Sequence, residues 1–170
     1  MLITEGYRQL NAASHAANPK WGRGGLTWHD KIKDILKSAA AKSVIDYGCG
    51  KGDMVHALRA ENIFVQGYDP AVPEFWFDPV PSDFLISLDV LEHIEPDCLE
   101  DVLKHIACLA PKALLVIALR SAKHILPDGR NAHLIVENSD WWLQKLSEHF
   151  GNFEEIEGLR ASELAVLCSR

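Results

Sequence analysis

The stretch that decides the fold of this chain is DYGCGKGD, residues 46–53. Its three glycines, Gly48, Gly50 and Gly52, follow the β-branched run SVIDY and precede the amphipathic run DMVHALRAE. This order predicts a buried strand, a glycine turn and a helix. Because glycine tolerates positive φ and leaves room beside the backbone, the turn is expected to let a ligand approach closely.

The alternation of strands and helices continues along the chain. Apolar runs of strand length occur at residues 43–47, 63–69, 84–89, 113–119, 153–159 and 163–170. Helical periodicity occurs at residues 29–41, 53–61, 97–110 and 139–150, and Asp97 with Glu100 predicts a capping box for the third of these helices. The pattern predicts an α/β fold, a doubly wound, mostly parallel sheet that ends in an antiparallel hairpin. We expect a single domain over residues 1–170, with residues 1–28 as a candidate lid or substrate segment.

Three carboxylates mark the expected binding edge of this sheet. Asp46, Asp69 and Asp89 each lie at or just beyond the end of a predicted strand. In open α/β sheets, ligands bind outside the carboxyl ends of parallel strands. The three residues are therefore predicted to border one site.

The glycine spacing excludes two common nucleotide-binding loops. A dinucleotide fingerprint requires its third glycine at position 53, where this chain has Asp53. An aspartate at a helix N-terminus also repels a pyrophosphate, which needs the positive end of the helix dipole. A phosphate-binding P-loop is excluded because Lys51 is followed by Gly52 rather than by Ser or Thr.

Three segments occur in the order typical of one family. The run VIDYGCGKGD, then Asp69, then FLISLDVLEHI resembles the class I S-adenosylmethionine-dependent methyltransferases over residues 40–120. The resemblance implies a Rossmann-like fold, transferase activity and S-adenosylmethionine as cofactor. It also implies that Asp69 accepts hydrogen bonds from both ribose hydroxyls, while Asp46 is either a ligand or a cap for the glycine turn. The implied cofactor contacts are Asp46, Tyr47, Gly48, Cys49, Gly50, Asp69, Pro70, Asp89 and Val90.

The chain departs from this family between its second and fourth strands. The family has a helix and a further strand there, whereas only the proline-rich residues 70–83 are available. The run EFWF is interpreted as a remnant edge strand. The adenine contacts are left open, with Phe75, Trp76 and the backbone near Asp83 as candidates.

The segment Glu92-His93, with His133 downstream, carries the candidate catalytic residues. It resembles the E-x-x-E-H segment of two O-methylating families, which act in ubiquinone biosynthesis and on the 3′ end of small RNA. There, a downstream histidine completes a divalent-metal site. The resemblance implies Mg²⁺ or Mn²⁺ held by Glu92, His93 and His133, although Asp89 replaces the first glutamate. Two alternatives stay open: a histidine that acts as general base, and a purely structural set.

The loop LPDGRNAH supplies the predicted substrate contacts, Arg130 and Asn131. A guanidinium pairs well with a carboxylate or a phosphate. The alternative is a surface turn in which Arg130 is solvated.

Charge and hydropathy narrow the function classes. The net charge of −7 argues against a general nucleic-acid coat, although residues 1–42 hold seven Lys/Arg and only three Asp/Glu. No apolar run is long enough to span a bilayer, and no secretory signal is evident, so we expect a cytoplasmic protein without a membrane partner. The leading hypothesis is an O-directed methyltransferase for a small or anionic acceptor. The alternatives are a nucleic-acid 2′-hydroxyl or modified-base methyltransferase and a non-catalytic partner protein that binds S-adenosylmethionine.

Overall fold

A computed structural model describes residues 1–170, and a six-stranded sheet forms its centre. The spatial order of the strands is β2-β1-β3-β4-β6-β5. The first four strands pair in parallel, and β6 runs antiparallel between β4 and β5. The mostly parallel sheet with its antiparallel C-terminal pair is therefore confirmed. The strands are β1 Ser43–Tyr47, β2 Phe64–Tyr68, β3 Phe84–Leu88, β4 Lys112–Ala118, β5 Asn152–Glu155 and β6 Glu163–Ser169.

Five α-helices accompany the sheet, and none is long and apolar enough to cross a bilayer. Successive residues of a strand point to opposite faces of the sheet, so the central strands contribute side chains to two hydrophobic cores. Ile45 of β1 joins one core with helices α4 and α5, whereas the adjacent Val44 joins the other with α2 and α3. This two-sided burial explains why the central strands are mostly apolar on both faces. The helices are α1 Glu5–Ala17, α2 His29–Ser38, α3 Asp53–Ala60, α4 Leu99–Leu109 and α5 Ser139–Ser147.

Three local predictions are wrong. A 3₁₀ turn at Pro96–Cys98 precedes α4, so Cys98 rather than Asp97 is the N-cap, and it forms no capping side-chain bond. The run EFWF, residues 74–77, overlaps the 3₁₀ turn Pro73–Phe75 and forms no edge strand, because Pro73 lacks a donor for a ladder. Strand β5 ends at Glu155, four residues earlier than the predicted run.

Candidate functional site

A cavity of about 750 Å³ opens at the carboxyl ends of the parallel strands. This volume is in the range that holds a small ligand. Because parallel strands end at the same edge of the sheet, the predicted contacts converge there although they are far apart in sequence. All nine predicted cofactor contacts line it: Asp46, Tyr47, Gly48, Cys49, Gly50, Asp69, Pro70, Asp89 and Val90.

The glycine turn is packed tightly by the protein itself. A Cβ at Gly48 would lie 2.4 Å from Val90 Cγ2, and one at Gly50 would lie 2.6 Å from the carbonyl oxygen of Gly22. Both glycines have positive φ, 77° and 53°. Because Gly48 and Gly50 have no side chain, the loop after β3 and the N-terminal segment can pack against the turn, and a ligand can approach it closely.

Two buried carboxyl groups lie beside this turn. Each oxygen of Asp69 accepts one backbone N–H, from Gly50 and from Ala71, both at 2.9 Å. A second lone pair stays available on each oxygen, as binding a vicinal diol requires. Burial raises the pKa of Asp69, and burial together with the Asp69 charge raises the pKa of Asp46 to about 7. A cationic ligand would favour the charged form of both groups.

Asp89 lines the cavity but is held by an arginine from the other end of the chain. Its φ is +54°, and its Oδ2 accepts a hydrogen bond of 2.8 Å from Arg160 Nη1. Arg160 Nη2 also donates to the carbonyl of Gly24 at 3.4 Å. Asp89 is thus paired, and Arg160 links the β5–β6 connection to the N-terminal segment. No sequence motif signalled Arg160.

Glu92, His93 and His133 converge as the sequence predicted. One potential ligand atom from each lies within 4.8 Å of those of the other two. Nδ1 of His93 donates to the carbonyl of Ala132 at 2.7 Å, and Nδ1 of His133 donates to the carbonyl of Arg120. Since a carbonyl only accepts, each Nδ1 carries the proton, and each Nε2 offers a lone pair.

Glu92 is fully buried and only half satisfied. Its Oε1 accepts from the backbone N–H of Ala118 at 3.0 Å, whereas its Oε2 has no partner. Burial, followed by the charge of Asp89, raises the pKa of Glu92 to about 8. Burial, followed by the charge of His133, lowers the pKa of His93 to about 4. An orphaned carboxyl oxygen and two imidazoles whose Nδ1 is already bonded are a donor set that fits a divalent cation.

The N-terminal segment, residues 1–28, forms the outer wall of the cavity. The ring of Trp21 lies against the ring of His93, with centroids 5.6 Å apart. Arg23 forms a salt bridge of 3.2 Å with Asp53 at the start of α3. The segment therefore contacts both the glycine turn and the histidine cluster.

Arg130 and Asn131, the predicted substrate contacts, lie outside the cavity lining. The guanidinium of Arg130 pairs with Asp128 at 2.7 Å. Asn131 Oδ1 accepts from the backbone N–H groups of Ala122 and His133, both at 3.0 Å. Both residues shape the loop that positions His133.

Two other cations of the same loop line the cavity, Arg120 and Lys123. Neither forms a salt bridge. Burial has the largest effect on the pKa of Glu92 and of His133, and the charge of Arg120 lowers both values. The guanidinium therefore lies close enough to the cluster to influence both groups. The only sequence signal was the position of Arg120 immediately after the apolar run 113–119.

Comparisons with known proteins agree with this geometry. A profile described as a methyltransferase domain matches residues 21–162. A comparison with curated protein sequences gives no match. One similar structure is the 1,6-didemethyltoxoflavin-N1-methyltransferase of Burkholderia thailandensis with bound 1,6-didemethyltoxoflavin and S-adenosylhomocysteine. Its TM-score is 0.68 at 16% identity, over 100% of this chain and 91% of that chain.

Two further solved structures share the fold. An O-methyltransferase family protein from Burkholderia thailandensis has a TM-score of 0.65 at 13% identity, over 99% of this chain and 63% of that one. The small RNA methyltransferase HEN1 has a TM-score of 0.60 at 15% identity, over 83% of this chain and 25% of that one. With the match to the domain profile, the chain belongs to the S-adenosylmethionine-dependent class I methyltransferases.

Proposed function

We propose that this enzyme methylates a hydroxyl group on a small, anionic acceptor. The observation that carries the proposal is that His93 and His133 line the cavity that holds the predicted cofactor contacts, with the buried Glu92 beside them. A hydroxyl must lose its proton as it is methylated, and this cluster offers imidazole nitrogens with free lone pairs. The nine predicted contacts of the glycine turn and strand ends are proposed to bind the cofactor, with Asp69 on the ribose.

The transfer is an in-line displacement that needs positioning and one proton acceptor. The acceptor oxygen forms a bond to the methyl carbon while the carbon–sulfur bond breaks, and its electron pair stays on sulfur. The hydroxyl proton passes to Nε2 of His93 or His133. Glu92 is fixed beside the histidines because its Oε1 accepts a hydrogen bond from the backbone N–H of Ala118 at the end of β4.

Glu92, His93 and His133 are also the residues that would hold Mg²⁺ or Mn²⁺. A bound divalent cation would polarise the acceptor hydroxyl and lower its pKa. The buried, partnerless Oε2 of Glu92 is the observation that favours this fit. Asp89 does not complete the set in the way that the family's glutamate does, because it pairs with Arg160.

The anionic character of the acceptor is inferred from the rim of the cavity. Arg120 and Lys123 line it without salt-bridge partners, although the whole chain is acidic. A carboxylate or phosphate on the acceptor would satisfy these cations and hold its hydroxyl near the histidines.

Methyl transfer can be tested with labelled S-adenosylmethionine and a panel of hydroxylated carboxylates and phosphates. Each anionic compound is compared with a neutral analogue, in which an amide replaces the carboxylate or an alcohol replaces the phosphate. We expect label in the anionic members. His93→Ala and His133→Ala should lose at least about 100-fold in rate, the usual scale of acid–base catalysis, with the affinity for S-adenosylhomocysteine retained. His56→Ala, an exposed change on α3, is the matched control. Transfer that survives both histidine variants would contradict the proposal.

A chelation series separates the two roles of the cluster. If EDTA abolishes transfer and Mn²⁺ restores it, the three residues hold a cation. If EDTA has no effect and the rate still depends on both histidines, an imidazole is the proton acceptor.

A second candidate is a 2′-hydroxyl of RNA. Its support is the fold shared with small RNA methyltransferase HEN1, together with the resemblance of Glu92, His93 and His133 to the segment of the family that methylates small RNA. Binding to a short single-stranded RNA that weakens steeply with salt would favour it. Binding that is weak at all salt concentrations would favour the small acceptor.

A further inference from the structure

Beyond Ala71, the chain between β2 and β3 does not line the cavity. No residue from Val72 to Ser87 lines the cavity. The ring of Phe75 is buried close to Gly52 and Gly67. The family places a helix and a strand in this part of the sequence, so another segment must close this side.

The other two sequence candidates also lie away from the cavity. Trp76 is 56% exposed, and the guanidinium of Arg8 lies 4.3 Å from its ring centroid. Asp83 accepts from the backbone N–H groups of Lys42 and Ser43 at the start of β1, the opposite end of the sheet. Neither residue can contact the base.

The first residues of the N-terminal segment line the cavity where residues 72–87 do not. Leu2 lines the cavity together with Ile94 and Val102. It packs against the core cluster that contains Tyr68 and Val102. Thr4 anchors the segment, because its backbone N–H and its hydroxyl both donate to the carboxylate of Glu95 at 2.8 Å.

Both polar and apolar side chains line the cavity, and they suit different parts of the ligands. The charged and imidazole groups of His93, His133, Arg120 and Lys123 suit the acceptor. Leu2, Ile94 and Val102 form an apolar group that suits the faces of a purine ring. Asp69, the proposed ribose ligand, ends β2, the strand that also contributes Tyr68 to the same core.

We propose that Leu2, with Ile94 and Val102, forms the adenine wall of this enzyme. The N-terminal segment thus replaces the element that the shortened chain between β2 and β3 lacks. The inference rests on the cofactor contacts given in the proposed function, and it does not depend on which acceptor is methylated.

The test is calorimetric binding of two probes to Leu2→Ala. S-adenosylhomocysteine carries the base and the amino-acid tail, whereas 5′-methylthioadenosine carries the base without the tail. Removing three carbons from a fully buried apolar contact would cost roughly 50-fold in affinity; because Leu2 is only half-buried, we expect a loss of about tenfold for both probes. Leu143→Ala is the matched control, because Leu143 packs half-buried on the same core cluster but lies on α5, outside the cavity.

Each outcome decides the inference. Equal losses for both probes in Leu2→Ala, with unchanged affinities in Leu143→Ala, would support it, and volume-conserving Leu2→Met should lose less than about twofold. Unchanged affinity in Leu2→Ala would overturn it, as would a loss restricted to S-adenosylhomocysteine. A similar loss in Leu143→Ala would trace the effect to general destabilisation and also overturn it. Absent methyl transfer with intact probe binding would reject only the proposed function.

Discussion

Gly50→Ala should separate the N-terminal segment from the glycine turn. Gly50 has a φ of +53°, and an added Cβ would lie 2.6 Å from the carbonyl oxygen and 3.0 Å from the Cα of Gly22. Both atoms belong to the backbone, so no side-chain rotation can relieve the contact. The N-terminal segment must move, or the turn must distort.

The magnitude follows from comparison with a second glycine. Gly129 also has positive φ, +86°, but a Cβ there would have no atom within 4 Å. Gly129→Ala therefore incurs only the left-handed backbone cost of about 1–2 kcal/mol, partly offset by the stiffer unfolded chain. Gly50→Ala adds an overpacking cost of about 1–3 kcal/mol. For a chain of this size, the extra cost lowers the Tm by about 5 °C relative to Gly129→Ala.

Two assays check this prediction. Urea denaturation gives the difference in free energy of unfolding between the two variants. Limited trypsin digestion reports on the segment itself, since the cleavage sites Lys20 and Arg23 flank Gly22. If Gly50→Ala lowers the free energy of opening of this segment by about 1.4 kcal/mol, and opening is fast relative to cleavage, the cleavage rate rises about tenfold. Equal destabilisation in both variants, or equal cleavage rates, would refute the packing of Gly22 on Gly50.

Three further predictions follow from single contacts. The pKa of Asp46 is raised to about 7 by burial and by Asp69; the folded state therefore binds the extra proton, and stability falls as pH rises from about 4 to about 7. Urea denaturation at pH 5 and pH 8 should show a smaller fall in Asp46→Asn, and equal falls would contradict the cause. Arg120→Gln should raise the KM for an anionic acceptor about tenfold, the loss of one charged hydrogen bond, whereas Arg130→Gln should change it less than about twofold; the reverse ranking would restore Arg130 as the substrate contact. Asn138→Ala removes the bond to the N–H of Trp141 that caps α5 and should cost about 1 kcal/mol in urea denaturation, so an unchanged midpoint would contradict the cap.

The cofactor edge was predictable because it depends on local pattern and one general rule. Apolar runs and amphipathic periods specify the strands and helices, and parallel strands bring their carboxyl ends to one edge. Asp46, Asp69 and Asp89 were therefore placed together without knowledge of any side-chain contact. The convergence of Glu92, His93 and His133 followed from the resemblance, since no spacing rule relates positions 93 and 133.

The sequence by itself determined the sheet and its binding edge, because these depend on patterns within single segments, and the resemblance of three ordered segments to one family indicated the class of cofactor. The tertiary structure alone decided which cations line the cavity, why Asp89 is paired with Arg160 and that Leu2 lines the cavity. These features join residues far apart in sequence: Arg160 lies 71 residues from Asp89, and Leu2 packs against the core cluster that contains Val102. Arg120 and Arg130 are both cations of one loop, and only the fold turns the first toward the cavity and pairs the second with Asp128. Such contacts depend on how segments dock, which neither periodicity nor motif spacing encodes.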